Sequence, residues 1–373
     1  MANIFDYLSW RGDLDFTQSP LNPVDFVIFS QLSYLQFDNI VPAPDVKKEI
    51  ILHIALNKLK EKMQNKKYLM DQVLGFREEG EFIDALYSSN RFRNCRLAGF
   101  INQVDTKQEY QFSALCIYTG DGSCSVVFRG TDASIVGWKE SFNICFKDII
   151  PAQIEAVKYL KKMSPLLEGT LRIGGHSKGG NLAIFASSFC GEKIQKRITD
   201  IFSLDAPGFN ENVIASEGFI AIKERIKTFI PQTSVIGMLF EHGSNFNIIK
   251  SSETGLMQHA LYSWEVTHNN MVRVDKITSS SRFIDKTLRQ WINGLDAKDR
   301  EKIIEAMYTI VNASDVKSIH ELEDSFILSM GKIIKSLGNT DEYTKKLIRK
   351  TFIEFLRSAR RNIDTLLKPD KYE

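Results

Sequence analysis

The chain has no paired cysteine motif. Its five cysteines, Cys95, Cys116, Cys124, Cys145 and Cys190, are odd in number and include no C-x-x-C spacing, which excludes a zinc-ribbon pattern and a disulfide framework. Cys116 and Cys124 fall on the two arms of one predicted hairpin, and all five read as buried free thiols, since reduced cysteine packs as a small hydrophobe. No uninterrupted apolar run is long enough to span a bilayer, so no integral membrane segment is expected. The first residues, "MANIFDYLSWRGDLDF", lack both a basic start and an apolar core, because Asp6, Arg11, Asp13 and Asp15 interrupt them. A cytoplasmic location is therefore the expectation, with leaderless release left open. An excess of one charge is also missing. Against 48 Lys+Arg stand 46 Asp+Glu, a formal net charge of +2, which gives no reason to expect nucleic acid as a partner.

What is present is a chain of ordinary globular composition. With 373 residues, 43% hydrophobic and 25% charged, it can bury one large core or two modest ones. The first hundred residues read as helical. "NPVDFVIFSQLSYLQF" (22–37) carries apolar residues at helical spacing behind Asn22 as cap and Pro23 in the first turn. "PDVKKEIILHIALNKLKEKM" (44–63) and "EGEFIDALYSSNRF" (79–92) are two further amphipathic segments. Near residue 97 the texture changes. Alternation in "QFSALCIYT" and "SCSVVFRG" flanks "GDG", a hairpin signal. A helix is predicted from Pro151 to about 164, a strand in "GTLRIGG" (169–175), a helix from Lys178 to about Cys190, and strands in "TDIFSLDAPGF" (199–209), "RIKTFIP" (225–231) and, as the last, "FNIIKSS" (246–252). Strand–helix alternation implies an α/β domain, a mostly parallel sheet covered on both faces. Beyond about residue 278 four helical patterns follow, and in the last of them the stretch "KKLIRKTFIEFLRSARR" (345–361) is basic and amphipathic, which reads as a solvated helix face. The expected division is a helical segment over 1–95 packed on the core, the α/β core over 96–278 and a helical extension over 279–373. No internal repeat or low-complexity linker interrupts it.

The chemistry centres on "RIGGHSKGGNLA" (172–183), which sets Ser177 in a G-x-S-x-G pattern with a strand before it and a helix after it. That context is what a nucleophile elbow needs. The strained turn tolerates little side-chain bulk, and Gly175, Gly179 and Gly180 meet that demand. A phosphate loop fits less well, because neither G-x-x-x-x-G-K-[ST] nor G-x-G-x-x-G matches. An oxyanion hole needs two donors. One is expected from the amide of Lys178, just after the nucleophile. The other is expected from "VVFRGTD" (126–132), where Thr131 follows Gly130 and offers its N–H and its hydroxyl as donors.

"FRGTD" followed by "GGHSKGGNLA" resembles the class 3 lipase branch of the α/β-hydrolases. Together with "NPVDFVIFSQLSYLQFD", "LDAPGF" and "GLMQHALYSWEV", it is similar to a bacterial lipase-like family long labelled a domain of unknown function. The resemblance covers most of residues 1 to about 275 and fails over the C-terminal helices. It implies an α/β-hydrolase fold for the core and carboxylic ester hydrolysis, without fixing the ester. In that superfamily the chain order is nucleophile, acid, base. This order sets aside His53 and Asp132. His176 is set aside as base because it adjoins the nucleophile, and it is expected to pack behind the elbow. The resemblance puts the base at His259, with His242 as alternative, while His268 and His320 read as surface residues. Class 3 lipases carry an aspartate where this chain reads "IPQTSVIGM", with no carboxylate. Asp205 in "SLDAPGF" is the expected acid instead, and Glu241 the alternative. The expected activity is that of a serine esterase or lipase on a small-molecule acyl ester or lipid, requiring no cofactor and no metal and leaving room for transient contact with a lipid surface. A thioesterase or peptidase with the same triad, and a non-catalytic relative that binds a ligand, stay open. The segment 133–146 and the terminal helices are candidates to cover the site.

Overall fold

The computed structural model describes residues 1–64, 78–131, 135–144, 147, 149–234, 236–240, 242 and 246–279, scattered positions between 282 and 302, and a helix near the C-terminus. The chain opens with helices α1 (Ile4–Arg11) and α2 (Pro23–Leu32), a short strand β1 (Ile50–Ile51), and helices α3 (Leu52–Met63), α4 (Glu79–Ser88) and α5 (Asn90–Arg93). Then come strands β2 (Arg96–Asp105), β3 (Tyr110–Tyr118) and β4 (Ser123–Phe128) and helices α6 (Ile135–Ile144) and α7 (Pro151–Met163). Alternation follows with β5 (Thr170–His176), α8 (Lys178–Phe189), α9 (Glu192–Gln195), β6 (Ile198–Leu204), α10 (Glu211–Ile214), α11 (Glu217–Ile222), β7 (Ile226–Pro231) and β8 (Phe246–Ile249). A ribbon of β9 (Val266–Thr267) and β10 (Asn270–Met271) and the helix α12 (Glu342–Leu367) complete the described elements.

Local chemistry accounts for the boundaries. Asn22 caps α2 by accepting from the amides of Val24 and Asp25, the Asp25 carboxylate accepts from the Asn22 amide at 2.8 Å, and Pro23 fills a position with no intrahelical N–H partner. In the predicted hairpin, Asp121 accepts from the Ser123 amide at 3.0 Å and from the Thr119 hydroxyl at 2.7 Å, closing the turn between β3 and β4. The eight strands β1 to β8 form one sheet in chain order. Pairing is antiparallel from β1 to β4 and parallel from β4 to β8. This is an α/β fold with a parallel sheet from β4 onward. Its antiparallel part is confined to the early strands, where the short turns between β2 and β3 and between β3 and β4 permit no other pairing of those neighbours. The sequence reading stopped its strands at β8 and missed the ribbon, whose two-residue strands are too short to show a period.

Alternate residues of the strands divide the interior in two. Leu115 and Ile117 of β3, Val127 of β4 and Phe202 and Leu204 of β6 share a core with the N-terminal helices, through Phe26, Leu56 and Phe82. Phe112, Ala114 and Cys116 of β3, Val126 and Phe128 of β4 and Ile201 of β6 face α7, α8 and α11, through Leu160, Leu182 and Phe219. Helix α2 lies close on the sheet. Phe26 stacks on Phe202 with ring centroids 4.4 Å apart, over Gly174, where a Cβ would lie 2.4 Å from the Phe26 ring.

A buried ion pair ties the N-terminal segment together. Arg91 and Asp25 have fully buried side chains and meet through two bonds of 2.7 and 2.6 Å. Tyr7 donates to the same carboxylate at 2.8 Å, and Arg91 also donates to the carbonyls of Leu14 and Ser19. No sequence motif announced this pair. Cys95, Cys116, Cys124 and Cys190 are buried free thiols, as their composition suggested, and Cys145 lies outside the described residues. Of the four predicted C-terminal helices, α12 is described as a continuous element, and residues 303–341 lie outside the description. No described helix is long and apolar enough to cross a membrane.

Candidate active site

The carboxyl ends of β4, β5 and β6 lie side by side. Register pairs Phe128 with Gly175 and His176 with Leu204, so the segments that follow, containing Thr131, Ser177 and Asp205, emerge at one edge of the sheet. That edge is where open α/β sheets hold their ligands.

Ser177 forms the corner between β5 and α8. Its backbone has φ 56° and ψ −131°, a conformation that costs a non-glycine residue about 1–3 kcal/mol. The corner is held by the Ser177 amide donating to Leu204 at 2.9 Å and by close packing behind it. A Cβ on Gly175 would lie 2.6 Å from the carbonyl carbon of Gly179, and one on Gly179 would lie 2.0 Å from the Phe128 oxygen. Ser177 is partly exposed, whereas His176 and Lys178 on either side are buried.

The structure brings Asp205 and His259 into contact. Asp205 directly follows β6, with its backbone in the left-handed region at φ 45° and its amide donating to Phe229 at 2.8 Å. Its side chain is nearly inaccessible. Oδ2 accepts from His259 Nδ1 at 2.6 Å. Oδ1 accepts from the Ser234 hydroxyl at 2.5 Å and from the Gly237 amide at 3.1 Å. A carboxylate can only accept here, so the imidazole carries its proton on Nδ1, and Nε2 is left as an acceptor. The stretch "IPQTSVIGM", which lacks a carboxylate, thus contributes the donors that hold one. Sequence reasoning missed Ser234 and Gly237, and no motif in that stretch could have marked them.

His259 sits in a 3₁₀ turn over Gly255–His259, ten residues beyond β8. Gln258 fixes this turn. Its carbonyl accepts from the Trp264 indole at 2.9 Å and its side-chain oxygen from the Thr233 amide at 3.1 Å. His176 holds the backbone of His259 from the other side, with its Nε2 2.8 Å from the His259 carbonyl. A carbonyl only accepts, so Nε2 bears the proton and Nδ1 accepts from the Tyr34 hydroxyl at 2.9 Å. Burial, reinforced by the neighbouring His259, holds the His176 imidazole well below the ordinary histidine range and keeps it neutral. The expectation that His176 packs behind the elbow matches this geometry. The N-terminal segment reaches the site through Tyr34, which sequence reasoning did not single out.

The proposed oxyanion donors flank the serine. Gly130 is so near that a Cβ on it would lie 3.2 Å from Ser177 Cβ, and Thr131 follows directly. The Thr131 hydroxyl is bonded to the Ser141 hydroxyl, and Ser141 spends its own proton on the Gly137 carbonyl at 2.9 Å. Thr131 must therefore be the donor in that pair, so its hydroxyl proton points to α6 and not into the site. The Thr131 hydroxyl is thus engaged by α6, and the amide is the group proposed for the oxyanion. Lys178 begins α8, where the first amides have no intrahelical acceptor and the helix dipole favours an anion.

Other candidates stand elsewhere. His242 is buried, with its Nε2 2.6 Å from the Gly237 carbonyl, an atom committed to steadying the loop behind Asp205. His53 pairs with the Arg93 carbonyl at 3.1 Å, and His268 pairs with Thr267 in an exposed turn. Glu241, Asp132 and His320 lie outside the described residues. The described part of the segment 133–146 is α6, whose Glu140 is fully buried. Among the described residues no group of three or more His, Cys, Asp or Glu is placed to hold a metal ion.

The Mbeg1-like family profile matches residues 86–309, more than half of the chain, from the end of α4 through strands β2 to β8 and beyond Ser177, Asp205 and His259. No curated protein and no solved structure matches. The matched span contains the elbow, the strands that carry it and the loop that carries His259, and on that match the chain belongs to the Mbeg1-like family, which is lipase-like.

Proposed function

We propose that the chain is a serine hydrolase of carboxylic esters, with Ser177 as nucleophile, His259 as base, Asp205 as acid and the amides of Thr131 and Lys178 as the oxyanion hole. The observation that carries this reading is the 2.6 Å bond between Asp205 Oδ2 and His259 Nδ1 at the sheet edge where Ser177 occupies its strained corner. His259 Nε2 takes the proton of Ser177 Oγ as the oxygen attacks the ester carbonyl. The carbonyl oxygen gains negative charge, which the two amides receive. Asp205 keeps its negative charge throughout and stabilises the imidazolium. The tetrahedral species collapses, His259 returns the proton to the leaving alcohol, and the acyl group remains on Ser177. Water then attacks with His259 again as base, and the acid leaves. Each oxyanion donor lowers the barrier by on the order of 3 kcal/mol.

An acyl ester in a lipid surface is a reachable substrate on this reading. Helix α12 carries seven basic and three acidic residues, and Lys346, Arg349, Lys350, Arg357, Arg360 and Arg361 are exposed around Ile353 and Leu356, a combination suited to transient contact with anionic lipid. The test of the proposed chemistry is labelling by a fluorophosphonate probe. Wild-type protein is expected to label at Ser177 and Ser177→Ala not to label. An unlabelled, folded wild type would sink the hydrolase reading. Rates across a series of acyl chain lengths, with and without vesicles, then define the ester.

A further inference from the structure

Next to the nucleophile lies a buried ion pair that the proposed chemistry does not use. Lys178 is 1% exposed and Glu140 of α6 is fully buried, yet Lys178 Nζ lies 2.7 Å from Glu140 Oε2. The ammonium also donates to the Gln111 carbonyl at 2.6 Å and to the Gln111 side chain at 2.8 Å. Glu140 accepts from two backbone amides as well, Gln111 of β3 at 3.0 Å and Ala152 of α7 at 2.9 Å. One carboxylate thereby joins α6, β3, α7 and the first residue of α8. Removing two charges from water is costly, and a buried pair of this kind is often no more stabilising than apolar residues of the same volume.

The position of the pair suggests a role beyond stability. Lys178 is itself a proposed oxyanion donor through its amide. The residue after Glu140 is Ser141, whose hydroxyl holds the hydroxyl of Thr131, the other proposed donor. The side chain of one donor thus grips the helix that holds the second donor. We infer that Lys178, Glu140 and Ser141 form a clamp that sets the spacing of the two oxyanion amides, acting as positioning residues through α6. This inference rests on the hydrolase reading above. It predicts that loosening α6 moves the Thr131 amide away from the developing oxyanion. A displacement near 1 Å costs roughly 100-fold in rate, and the loss falls on the transition state and not on substrate binding.

Two single variants and two double variants test the clamp. Glu140→Gln keeps the shape but removes the charge. Ser141→Ala releases Thr131 and leaves the ion pair intact. The double variant Lys178→Met/Glu140→Gln removes both charges, so no uncompensated ion remains to unfold the protein. Each is assayed for kcat and KM on a short soluble ester and for its rate of fluorophosphonate labelling, at a temperature where thermal unfolding shows it folded. The expected result is a fall in kcat of roughly ten- to a hundred-fold with KM unchanged. Glu140→Gln and Ser141→Ala combined should cost little more than either alone, because both act on one element. Replacing Glu155, partner of Lys158 in an exposed pair on α7, should change nothing. Folded variants with wild-type kcat overturn the clamp, as does a change confined to KM or full additivity of the two losses. Failure of wild-type protein to label at Ser177 overturns the hydrolase reading instead, so the two failures are distinguishable.

Discussion

Replacing Asp205 by Asn tests the proposed base and acid together. The change is nearly isosteric, but it converts one acceptor oxygen into a donor. The buried carboxylate faces three donors: the His259 Nδ1–H on one oxygen, and the Ser234 hydroxyl and Gly237 amide on the other. The hydroxyl can turn, but the Gly237 amide cannot. Pointing the new NH₂ at it would oppose two buried donors and make the Ser234 hydroxyl, which already accepts from the Gly237 amide at 2.8 Å, serve both, at a cost of about 1 kcal/mol. The amide oxygen therefore stays toward Gly237 and the NH₂ faces His259. Nδ1 must then accept, which moves the imidazole proton to Nε2, the atom required to receive the Ser177 proton. Inverting the tautomer of a triad histidine lowers kcat on the order of 10⁴-fold, which corresponds to about 5.4 kcal/mol in the barrier. The assay is kcat and KM on a soluble ester, with labelling at Ser177 as an independent readout and thermal unfolding as the check on the fold. A folded Asn variant within tenfold of wild type would refute the assignment of Asp205 and the tautomer argument with it.

Three further outcomes are expected. His176 is held neutral in the folded protein, with burial and then His259 lowering its pKa, so the unfolded chain binds the extra proton. Its contribution to stability is then fully present above pH about 6.5 and is lost as pH falls from there toward the depressed folded value, with a slope of up to about 1.4 kcal/mol per pH unit; denaturant titrations between pH 5 and 7 should show that slope in wild type and not in His176→Gln. Gly174→Ala should destabilise by about 1–3 kcal/mol, read as a lower denaturation midpoint, because its Cβ would meet the Phe26 ring at 2.4 Å and the Phe202 oxygen at 2.5 Å. Neutralising Arg357, Arg360 and Arg361 on α12 should weaken sedimentation with anionic vesicles by roughly 100-fold at about 1 kcal/mol per charge; wild type that sediments equally with neutral vesicles would contradict a charge-led contact.

Periodicity and turn chemistry made most of the fold legible. The alternation in β3 and β4, the "GDG" turn, Pro151 at the start of α7 and the glycines around Ser177 each act within a few residues, and the corresponding elements form where the patterns predict. The pairing of Asp205 with His259 spans 54 residues and came from chain order and resemblance, not from spacing. The supporting contacts had no such handle. Tyr34 reaches His176 across 142 residues and Lys178 reaches Gln111 across 67. Ser234 holds Asp205 through a single hydroxyl in an otherwise plain loop. Contacts of this kind depend on how the sheet stacks its two layers, which no local pattern encodes. The contact of the Thr131 hydroxyl with Ser141, on a helix ten residues later, is of the same kind.

The two-sided interior bears on where the chain can be cut. The family match begins at residue 86, but one face of the sheet shares its core with Phe26, Leu56 and Phe82, and the first two of these belong to helices that precede the match. A fragment started at the family boundary would present Leu115, Ile117, Val127, Phe202 and Leu204 to water and would lose the Tyr34 hydroxyl that holds His176. The span of the family match is therefore shorter than the span that shares this core, and a shortened protein meant for screening or crystallisation has to keep α1 to α4.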